Sequence, residues 1–258
     1  MYEFLICAIA GIGAGVATGF VGLSAAVYIA PILVTFLDAS AYDAIGIALA
    51  SDVLASAVSS VNYSRHGNID LKHSIPLLST VLGFTIIGSV ISYFFSTTTI
   101  GNTAMSYWSV LVSLGMGIQF LLRPANKARK NETIGKTRNT LVILFGIYTG
   151  FVCGFQGTGG GVMMLFILTT VMNYELKTAV GTSVFIMAFT ALIGSVSHFY
   201  INGIPNLFQL TVCVLYTLAA AQISSVAANW ISESISGRII GTFLTVSAII
   251  MLCVNILQ

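Results

Sequence analysis

The second half of this chain repeats part of the first half. When residues 11–61 are aligned without gaps on residues 146–196, which lie 135 positions later, 14 of the 51 residues are identical. In an apolar chain, chance would make roughly a tenth of such positions identical. The identities include part of a glycine-rich motif: Gly19, Phe20 and Gly22 recur as Gly154, Phe155 and Gly157. An internal duplication of this kind predicts two copies of one folding unit, which is common in membrane transporters.

The repeated segments are too apolar for a protein that folds in water. Only 7% of the 258 residues are charged and 57% are hydrophobic, whereas a soluble domain carries about 25% charged residues. Too few polar side chains remain to cover a globule of this size, so lipid must cover its surface. The apolar runs also lack the polar–apolar alternation of membrane β-barrels. We therefore predict an all-α polytopic protein of a bacterial or archaeal cytoplasmic membrane.

Charge and cysteine content exclude several partners and cofactors. The net charge of +2, without a basic stripe, argues against nucleic acid. The four cysteines lie in apolar runs without metal-binding spacing, and the chain has no phosphate-binding loop of the GxxxxGK[ST] type. We therefore expect no metal, no cofactor and no ATP hydrolysis. The first residues lack a basic region, so we interpret the first apolar run as a retained span and not as a cleaved signal peptide.

Each half contains five hydrophobic segments. In the first transmembrane repeat, residues 1–122, these segments are 3–20, 23–37, 42–63, 74–95 and 104–122. In the second repeat, residues 139–258, they are 139–155, 158–172, 177–200, 206–229 and 238–257. A hydrophilic linker, residues 123–138, joins the repeats. The first two segments of each half are short, because about 20 residues cross the hydrocarbon core. They form either two crossings or a hairpin that enters the membrane and returns.

Basic residues predict which loops face the cytoplasm. The linker contains six Lys and Arg residues, so we expect it to be cytoplasmic. With five segments per half, all ten basic residues fall on the cytoplasmic side, whereas merging each short pair into one span would leave Lys177 and Arg238 outside. We therefore favour the odd count. It predicts two inverted-topology repeats with both termini facing outward.

Glycines interrupt the first pair of segments in each half. A glycine costs a helix roughly 1 kcal/mol relative to alanine, so a glycine cluster predicts a helix break. The helix that restarts after a break presents unpaired N–H groups and a positive dipole end, which suit an anion. The alternative role of such glycines is close helix packing. We predict an anion-binding site at two glycine-broken helical hairpins, with these candidates: Gly19, Gly22, Ser24, Gln156, Gly157, Thr158, Gly159, Gly160 and Gly161.

The third segment of each half supplies further substrate-binding candidates. Thr182 and Ser183 lie near its start in the second half. Their alternative role is a hydroxyl group bonded to its own helix. Polar clusters follow at the ends of both third segments, and they contain Asn62, Tyr63, Ser197 and His198.

Ionisable residues within the apolar segments are candidates for a second role. Asp52 and His198 are candidates for binding a coupling proton or cation, because such residues often mark ion pathways in membranes. A structural hydrogen bond is the alternative for Asp52, and a satisfied core residue or a helix-end group is the alternative for His198. Arg65 and His66 lie at the predicted cytoplasmic end of their span. They form either an ordinary positive-inside anchor or a mouth that attracts anions.

These motifs resemble the TauE/SafE family over essentially the whole chain. The resemblance is carried by the broken hairpins, by Gly181 to Ser183 after Ala-Val, by the polar clusters and by the turn Gly67 to Asp70. The first half departs from the family pattern at Leu23 to Ala26, where more glycines are usual, and at Ile47-Ala48 in place of Thr-Ser. The family includes proposed sulfite exporters and organosulfonate carriers. The resemblance therefore implies a small sulfur-containing anion, sulfite or an organosulfonate such as sulfoacetate, as substrate.

Two transport mechanisms remain open from the sequence. The duplication and the broken helices favour a secondary transporter that works by alternating access. A passive anion channel lined by the same residues is the alternative. We do not expect an enzyme, because no nucleophile–base or metal constellation recurs in the sequence. The direction of transport, the coupling ion and the oligomeric state are left open.

Overall fold

The computed structural model describes residues 1–95, 111, 114–115, 117–122, 136–156 and 160–257. All regular structure in these ranges is helical, which confirms the predicted all-α class. The helices are α1 (Tyr2–Val16, continued by a π-helical turn Ala17–Val21), α2 (Ala26–Leu37), α3 (Ala41–Arg65), α4 (Leu71–Phe95), α5 (Lys136–Gln156), α6 (Gly161–Phe166, continued by a π-helical turn Ile167–Val171), α7 (Leu176–Asn202), α8 (Leu207–Trp230) and α9 (Glu233–Leu257). Most of the predicted segment 104–122 lies outside the described residues, but residues 117–122 are helical.

Five of these helices are long and apolar enough to cross a membrane. They are Tyr2–Val21, Tyr42–Arg65, Ser74–Ile91, Leu176–Asn202 and Leu207–Trp230. Large apolar side chains also cover the outer surface of the bundle, for example Leu215 and Ile223, which are 57% and 72% exposed. Lipid is the solvent that makes such a surface stable. The chain is therefore a multi-pass membrane protein.

The second helix of each half is short and returns along the first. Gly13 of α1 faces Tyr28 of α2, and Cys7 belongs to the same buried cluster as Leu33. These pairs show that α2 runs antiparallel to α1. At 1.5 Å per residue, α2 is about 18 Å long and cannot cross a hydrocarbon core of about 30 Å. Of the two arrangements that the sequence leaves open, the length of α2 favours the returning hairpin.

Glycines allow the first helix of each half to pack tightly on a helix of the other half. A Cβ atom on Gly11 would lie 2.9 Å from Tyr216 Cβ, and one on Gly15 would lie 2.6 Å from Ala220 Cβ, so α1 contacts α8 closely. In the same way, Gly150 brings α5 against α4. Under the 135-residue offset, the α1–α8 pair corresponds to the α5–α4 pair. The duplication is therefore visible in the helix contacts and not only in the sequence.

The third helices of the two halves, α3 and α7, pack against each other. A Cβ atom on Gly46 would lie 3.6 Å from His198 Cβ, and one on Gly181 would lie 2.8 Å from Tyr63 Cβ. Because the start of each helix lies beside the end of the other, α3 and α7 run antiparallel. Gly46 and Gly181 are equivalent positions of the two repeats. Equivalent positions of the two repeats therefore make reciprocal contacts between α3 and α7.

Candidate functional site

The break between α1 and α2 is closed by a carboxylate from α3. Gly22 adopts a left-handed conformation with φ of 75° and ends the π-helical turn. Residues 22–25, called the first break below, connect it to α2. Asp52 accepts hydrogen bonds from the Ala25 backbone N–H at 2.8 Å, from Thr18 Oγ1 at 3.1 Å and from Ser24 Oγ. The Asp52 carboxyl group therefore accepts hydrogen bonds from the donors at the start of α2 and just before it.

Asp52 lies in a completely buried environment without a cationic partner. Its side chain is 0% exposed. Within the described part of the chain, its three hydrogen-bond donors are neutral. Burial of an ionised carboxylate is costly unless hydrogen bonds or a counter-charge compensate it. Three neutral donors supply only part of that compensation, so this position is suited to a group that gains and loses a proton.

The second break is the corresponding interruption between α5 and α6, residues 157–160. Gly160 is left-handed with φ of 40° and precedes α6 without any side-chain cap. The predicted residues Gly157, Thr158 and Gly159, and the side chain of Gln156, lie outside the described residues. Gly160 and Gly161 are described, and both contact residues of other helices.

The side chains that close the first break are all replaced at the second. The 135-residue offset aligns Thr18 with Cys153, Ser24 with Gly159 and Asp52 with Met187. A Cβ atom on Gly160 would lie 2.5 Å from Cys153 Sγ, and one on Gly161 would lie 3.2 Å from Met187 Sδ. Two sulfur atoms therefore border the second break where oxygen atoms fill the first.

The two breaks touch each other in the middle of the bundle. A Cβ atom on Gly161 would lie only 2.6 Å from the Gly22 carbonyl oxygen and 3.0 Å from Leu23 Cα. Ser183 Oγ of α7 donates a hydrogen bond to the same Gly22 oxygen at 3.1 Å. Because Gly161 has no side chain, the start of α6 can lie against the first break. The hydrogen bond from Ser183 adds a second contact between the two halves at this point.

Two residues of α5 that the sequence analysis missed complete this centre. Cys153 Sγ borders Gly160, where it would lie 2.5 Å from an added Cβ atom. Thr149 faces Gly160 with its methyl group, and its hydroxyl group is buried and has no hydrogen-bond partner among the described residues. Thr18, which binds Asp52, was also missed. The alignment of Thr18 with Cys153, both in the last helical turn before a break, was the available sequence signal.

Comparison with known proteins identifies the family of the chain. The family profile for the sulfite exporter TauE/SafE matches residues 7–251. The chain belongs to the TauE/SafE family. It is 26% identical over 230 residues to the probable membrane transporter protein YunE of Bacillus subtilis, covering 81% of this chain and 82% of YunE. It is 24% identical over 221 residues to the probable membrane transporter protein YdhB of the same organism, covering 83% of this chain and 86% of YdhB.

A third relative is archaeal. The probable membrane transporter protein MJ0441 of Methanocaldococcus jannaschii is 28% identical over 116 residues, which are 43% of each chain. No solved structure matches the chain. The family and these relatives identify the protein as a membrane transporter of the TauE/SafE type.

In this TauE/SafE protein, several predicted site residues hold helices together near the first break. Tyr63 Oη donates to the Gly19 carbonyl oxygen at 3.1 Å. Asn62 Nδ2 donates to Gln222 Oε1 at 2.9 Å and to Ser225 Oγ at 2.8 Å. The Cα of Gly19 faces α8, where a Cβ atom would lie 2.6 Å from the Ala221 carbonyl oxygen. These contacts fasten α1, α3 and α8 to one another.

Thr182 also forms a contact between the two halves. Its Oγ1 accepts a hydrogen bond from the Asp70 backbone N–H at 3.2 Å. Tyr174 Oη donates to the Asp70 carboxylate at 3.1 Å. The start of α7 is thereby tied to the loop that follows α3. In these contacts the hydroxyl groups of Thr182 and Ser183 form hydrogen bonds with residues of the first half, and not with the backbone of α7.

The structure places Ser197 and His198 away from the two breaks. His198 lies beside Gly46 and stacks on Tyr42 with ring centroids 4.1 Å apart. Gly46 precedes Asp52 by six residues, which is about 9 Å along the helix. Ser197 Oγ donates to the Ile193 carbonyl oxygen of its own helix at 2.8 Å. His198 and Asp52 are therefore not brought together.

Arg65 and His66 lie at the exposed C-terminal end of α3. His66 Nδ1 is 2.8 Å from the Asn62 carbonyl oxygen, so the imidazole caps the end of its helix. Arg65 is about 20 Å from Asp52 along the helix axis. Whether this end of the helix attracts anions stays a prediction.

Proposed function

We propose that this protein is a secondary transporter that moves a small sulfur-containing anion, sulfite or an organosulfonate such as sulfoacetate, across the cytoplasmic membrane by alternating access. The observation that carries the proposal is the contact between the two helix breaks at Gly22 and Gly161. Irregular backbone inside a membrane is stable where protein or a water-filled cavity surrounds it. Transporters use such paired interruptions near the midplane to bind their substrates.

The antiparallel packing of α3 and α7 supports alternating access. If both helices cross the membrane, equivalent helices that run in opposite directions belong to repeats of inverted topology. The two halves can then rock against each other around the breaks, which exposes the substrate first to one side and then to the other. The closely packed α1–α8 and α4–α5 pairs provide rigid units for this motion.

The family name supports the class of substrate. The matching family is described as a sulfite exporter family, and an anion that contains sulfur and oxygen can accept hydrogen bonds from backbone N–H and hydroxyl groups. We propose that the glycines of the second break, the Ser183 region and the Thr149 hydroxyl group contribute these donors. A coupling proton or cation and the surrounding lipid are the other proposed partners.

Transport by the purified protein in lipid vesicles tests this function. A thermal-shift panel of sulfite, thiosulfate, sulfoacetate, taurine and sulfate first identifies the anion that stabilises the protein, because a specific ligand raises the melting temperature by mass action. The same anions, radiolabelled, are then offered to vesicles with and without the protein. We expect saturable uptake and exchange of at least one sulfur anion. Absence of flux for all of them refutes the proposal, and single-channel conductance would favour an anion channel.

A further inference from the structure

We propose that Asp52 is the binding site of a coupling proton, and that this proton reaches Asp52 from the cytoplasmic side along the buried hydroxyl groups of Ser56 and Ser59. This inference rests on the proposed transport function and specifies how transport is coupled. Asp52, Ser56, Ser59 and Tyr63 are spaced by four, three and four residues. Such spacing places them on one face of α3.

The two serines on this face are buried, and their hydroxyl groups are unsatisfied. Ser56 and Ser59 are both 0% exposed. Neither Oγ atom has a hydrogen-bond partner among the described residues, whereas Ser51 and Ser60 of the same helix donate to backbone carbonyl oxygens. A buried hydroxyl group without a partner is destabilising. Water can satisfy such a hydroxyl group where other polar groups lie close by, and we assign that role to water along the face below Asp52.

The polar face leads toward one side of the membrane only. The equivalent positions of α7 are Met187, Ala191, Gly194 and His198, so no hydroxyl group or carboxylate occupies the first three. On α3, the polar face ends at Tyr63, two residues before the exposed Arg65. The positive-inside rule places that end in the cytoplasm. A proton therefore has polar steps between Asp52 and the cytoplasmic side, and lacks them at the first three equivalent positions of α7.

The groups around Asp52 leave its carboxyl group to bind the proton. The three groups that donate hydrogen bonds to Asp52 are neutral: the Thr18 and Ser24 hydroxyl groups and the Ala25 backbone N–H. Other titratable side chains of the adjoining helices contact residues other than Asp52. These pairs are Glu3 with Gln209, Cys7 with Cys213, Tyr28 with Phe243, Asp43 with Asn202, Lys177 with Asn229 and His198 with Tyr42. In the described chain, no Lys or Arg forms an ion pair with Asp52.

Protonation of Asp52 changes what the first break can bind. The ionised carboxylate holds the Thr18, Ser24 and Ala25 donors and repels a second anion beside it. The neutral acid repels no anion and holds these donors more weakly. Proton binding and anion binding at the meeting breaks therefore favour each other, and this coupling is reciprocal. The proton is taken from water on one side and returned to water on the other, and no other bond is formed or broken.

The test uses the full-length protein in vesicles that enclose a pH-sensitive dye, with radiolabelled sulfoacetate as the probe. In wild type, an inward sulfoacetate gradient is expected to acidify the lumen, and an acidic exterior is expected to drive sulfoacetate accumulation. Asp52→Asn is expected to abolish both effects. The double variant Ser56→Val, Ser59→Val is expected to slow acidification about tenfold, because each hydrogen-bonding step along the route is lost. Ser60→Ala, which removes a hydroxyl group that donates to the Ala57 carbonyl oxygen, is the matched control with wild-type rates.

A second measurement does not depend on transport. Infrared difference spectra of the reconstituted protein between acidic and alkaline buffer are expected to show the C=O band of a buried carboxylic acid. This band is expected to vanish in Asp52→Asn and to persist in Ser60→Ala and in the double serine variant. Size-exclusion profiles establish which variants are folded. If Asp52→Asn misfolds, the acidification rate of the double serine variant still tests whether the proton reaches Asp52 by this route.

The outcomes separate this inference from the proposed function. If sulfoacetate and the other sulfur anions show no flux but the Asp52 band is present, the proton site stands and the transport proposal fails. If a sodium gradient, and not a pH gradient, drives accumulation, or if Asp52 never protonates, the proton proposal is overturned while transport stands. Wild-type acidification rates in the double serine variant overturn the serine route.

Discussion

At the scale of single residues, Gly161 is where the absence of a side chain matters most. The residue is the first of α6, and its Cα faces the Gly22 carbonyl oxygen and the backbone of Leu23. Backbone atoms cannot rotate away as a flexible side chain can, so even one methyl group must separate the two breaks. The identity of a single residue thus determines whether the two halves of the site can touch.

We expect Gly161→Ala to reduce transport by about tenfold to a hundredfold, because a displacement of roughly 1 Å at a binding centre has effects of this size. A Cβ atom at this position would lie 2.6 Å from the Gly22 oxygen. Gly83→Ala is the matched control, because no atom lies within 4 Å of its added methyl group. Anion uptake by vesicles with equal protein content is the measurement. Equal uptake by both variants would show that close contact of the breaks is unnecessary.

Cys153 offers a chemical probe of the same centre. It is 3% exposed and borders Gly160, whereas Cys253 is exposed. A thiol is modified when water and reagent reach it, so modification of Cys153 requires the breaks to open. In a chain that keeps only Cys153, we expect a small thiol reagent to inhibit transport and a bound substrate anion to slow inhibition.

The matched control for this probe is a chain that keeps only Cys253. We expect rapid labelling of that chain without loss of transport. Labelling is measured by mass spectrometry and transport by uptake of the labelled anion. Inhibition that substrate leaves unchanged would place Cys153 outside the transport pathway.

At the scale of helices, the glycines of α1 and α5 serve packing between the halves. Gly11, Gly15 and Gly19 recur at intervals of four residues and face α8. Gly146, Gly150 and Gly154 face α4 in the same way. Small residues at this spacing let membrane helices approach until their backbones touch. The duplicated glycines therefore include a set that builds the scaffold and a separate set, at the breaks, that builds the centre.

Gly15→Val is expected to destabilise the protein by about 1–3 kcal/mol, as overpacking of a tight interface does. The added Cβ atom alone would lie 2.6 Å from Ala220 Cβ and 2.8 Å from the Ala221 backbone nitrogen. Gly13→Val on the same helix is the control, since the nearest atom to its Cβ position is Tyr28 Cδ1 at 3.8 Å. Thermal melting in detergent, followed by size-exclusion chromatography, compares the two. A lower melting temperature for Gly13→Val than for Gly15→Val would contradict this assignment of the α1 face.

At the scale of the whole molecule, the antiparallel pair α3 and α7 determines how the two copies are related. Both ends of α3 meet the opposite ends of α7, so we expect one copy to be inverted relative to the other. This arrangement would place the C-terminal ends of α3 and α7 on opposite sides of the membrane. The positive-inside rule assigns the end of α3 to the cytoplasm.

Labelling of single cysteines tests this topology. In a chain without its exposed Cys253, Ser64→Cys is expected to react with a membrane-impermeant maleimide only from the cytoplasmic side. Ile204→Cys, at a residue that is 71% exposed, is expected to react only from outside. Intact cells and inverted membrane vesicles provide the two sides, and the parent chain gives the background. Reaction of both positions from one side would refute the inverted arrangement.

The sequence predicted the helices well because their signals are local. The predicted segments 42–63, 177–200 and 206–229 correspond to α3, α7 and α8 within a few residues. Hydrophobic length and the conformational cost of glycine act over a few neighbouring residues, so they can be read without the fold. For the same reason, the interruptions before Leu23 and at Gly160 were recognised in advance.

By itself, the sequence determined that the chain is a helical membrane protein, that it contains two related halves and that each half has a glycine break. Only the tertiary structure decided what fills each break. Asp52 lies 27 residues from Ala25 in the chain, and its hydrogen bonds to the first break exist only because α3 packs beside α2. A carboxylate's partners depend on which distant helices surround it, and hydrophobicity carries no information about that choice.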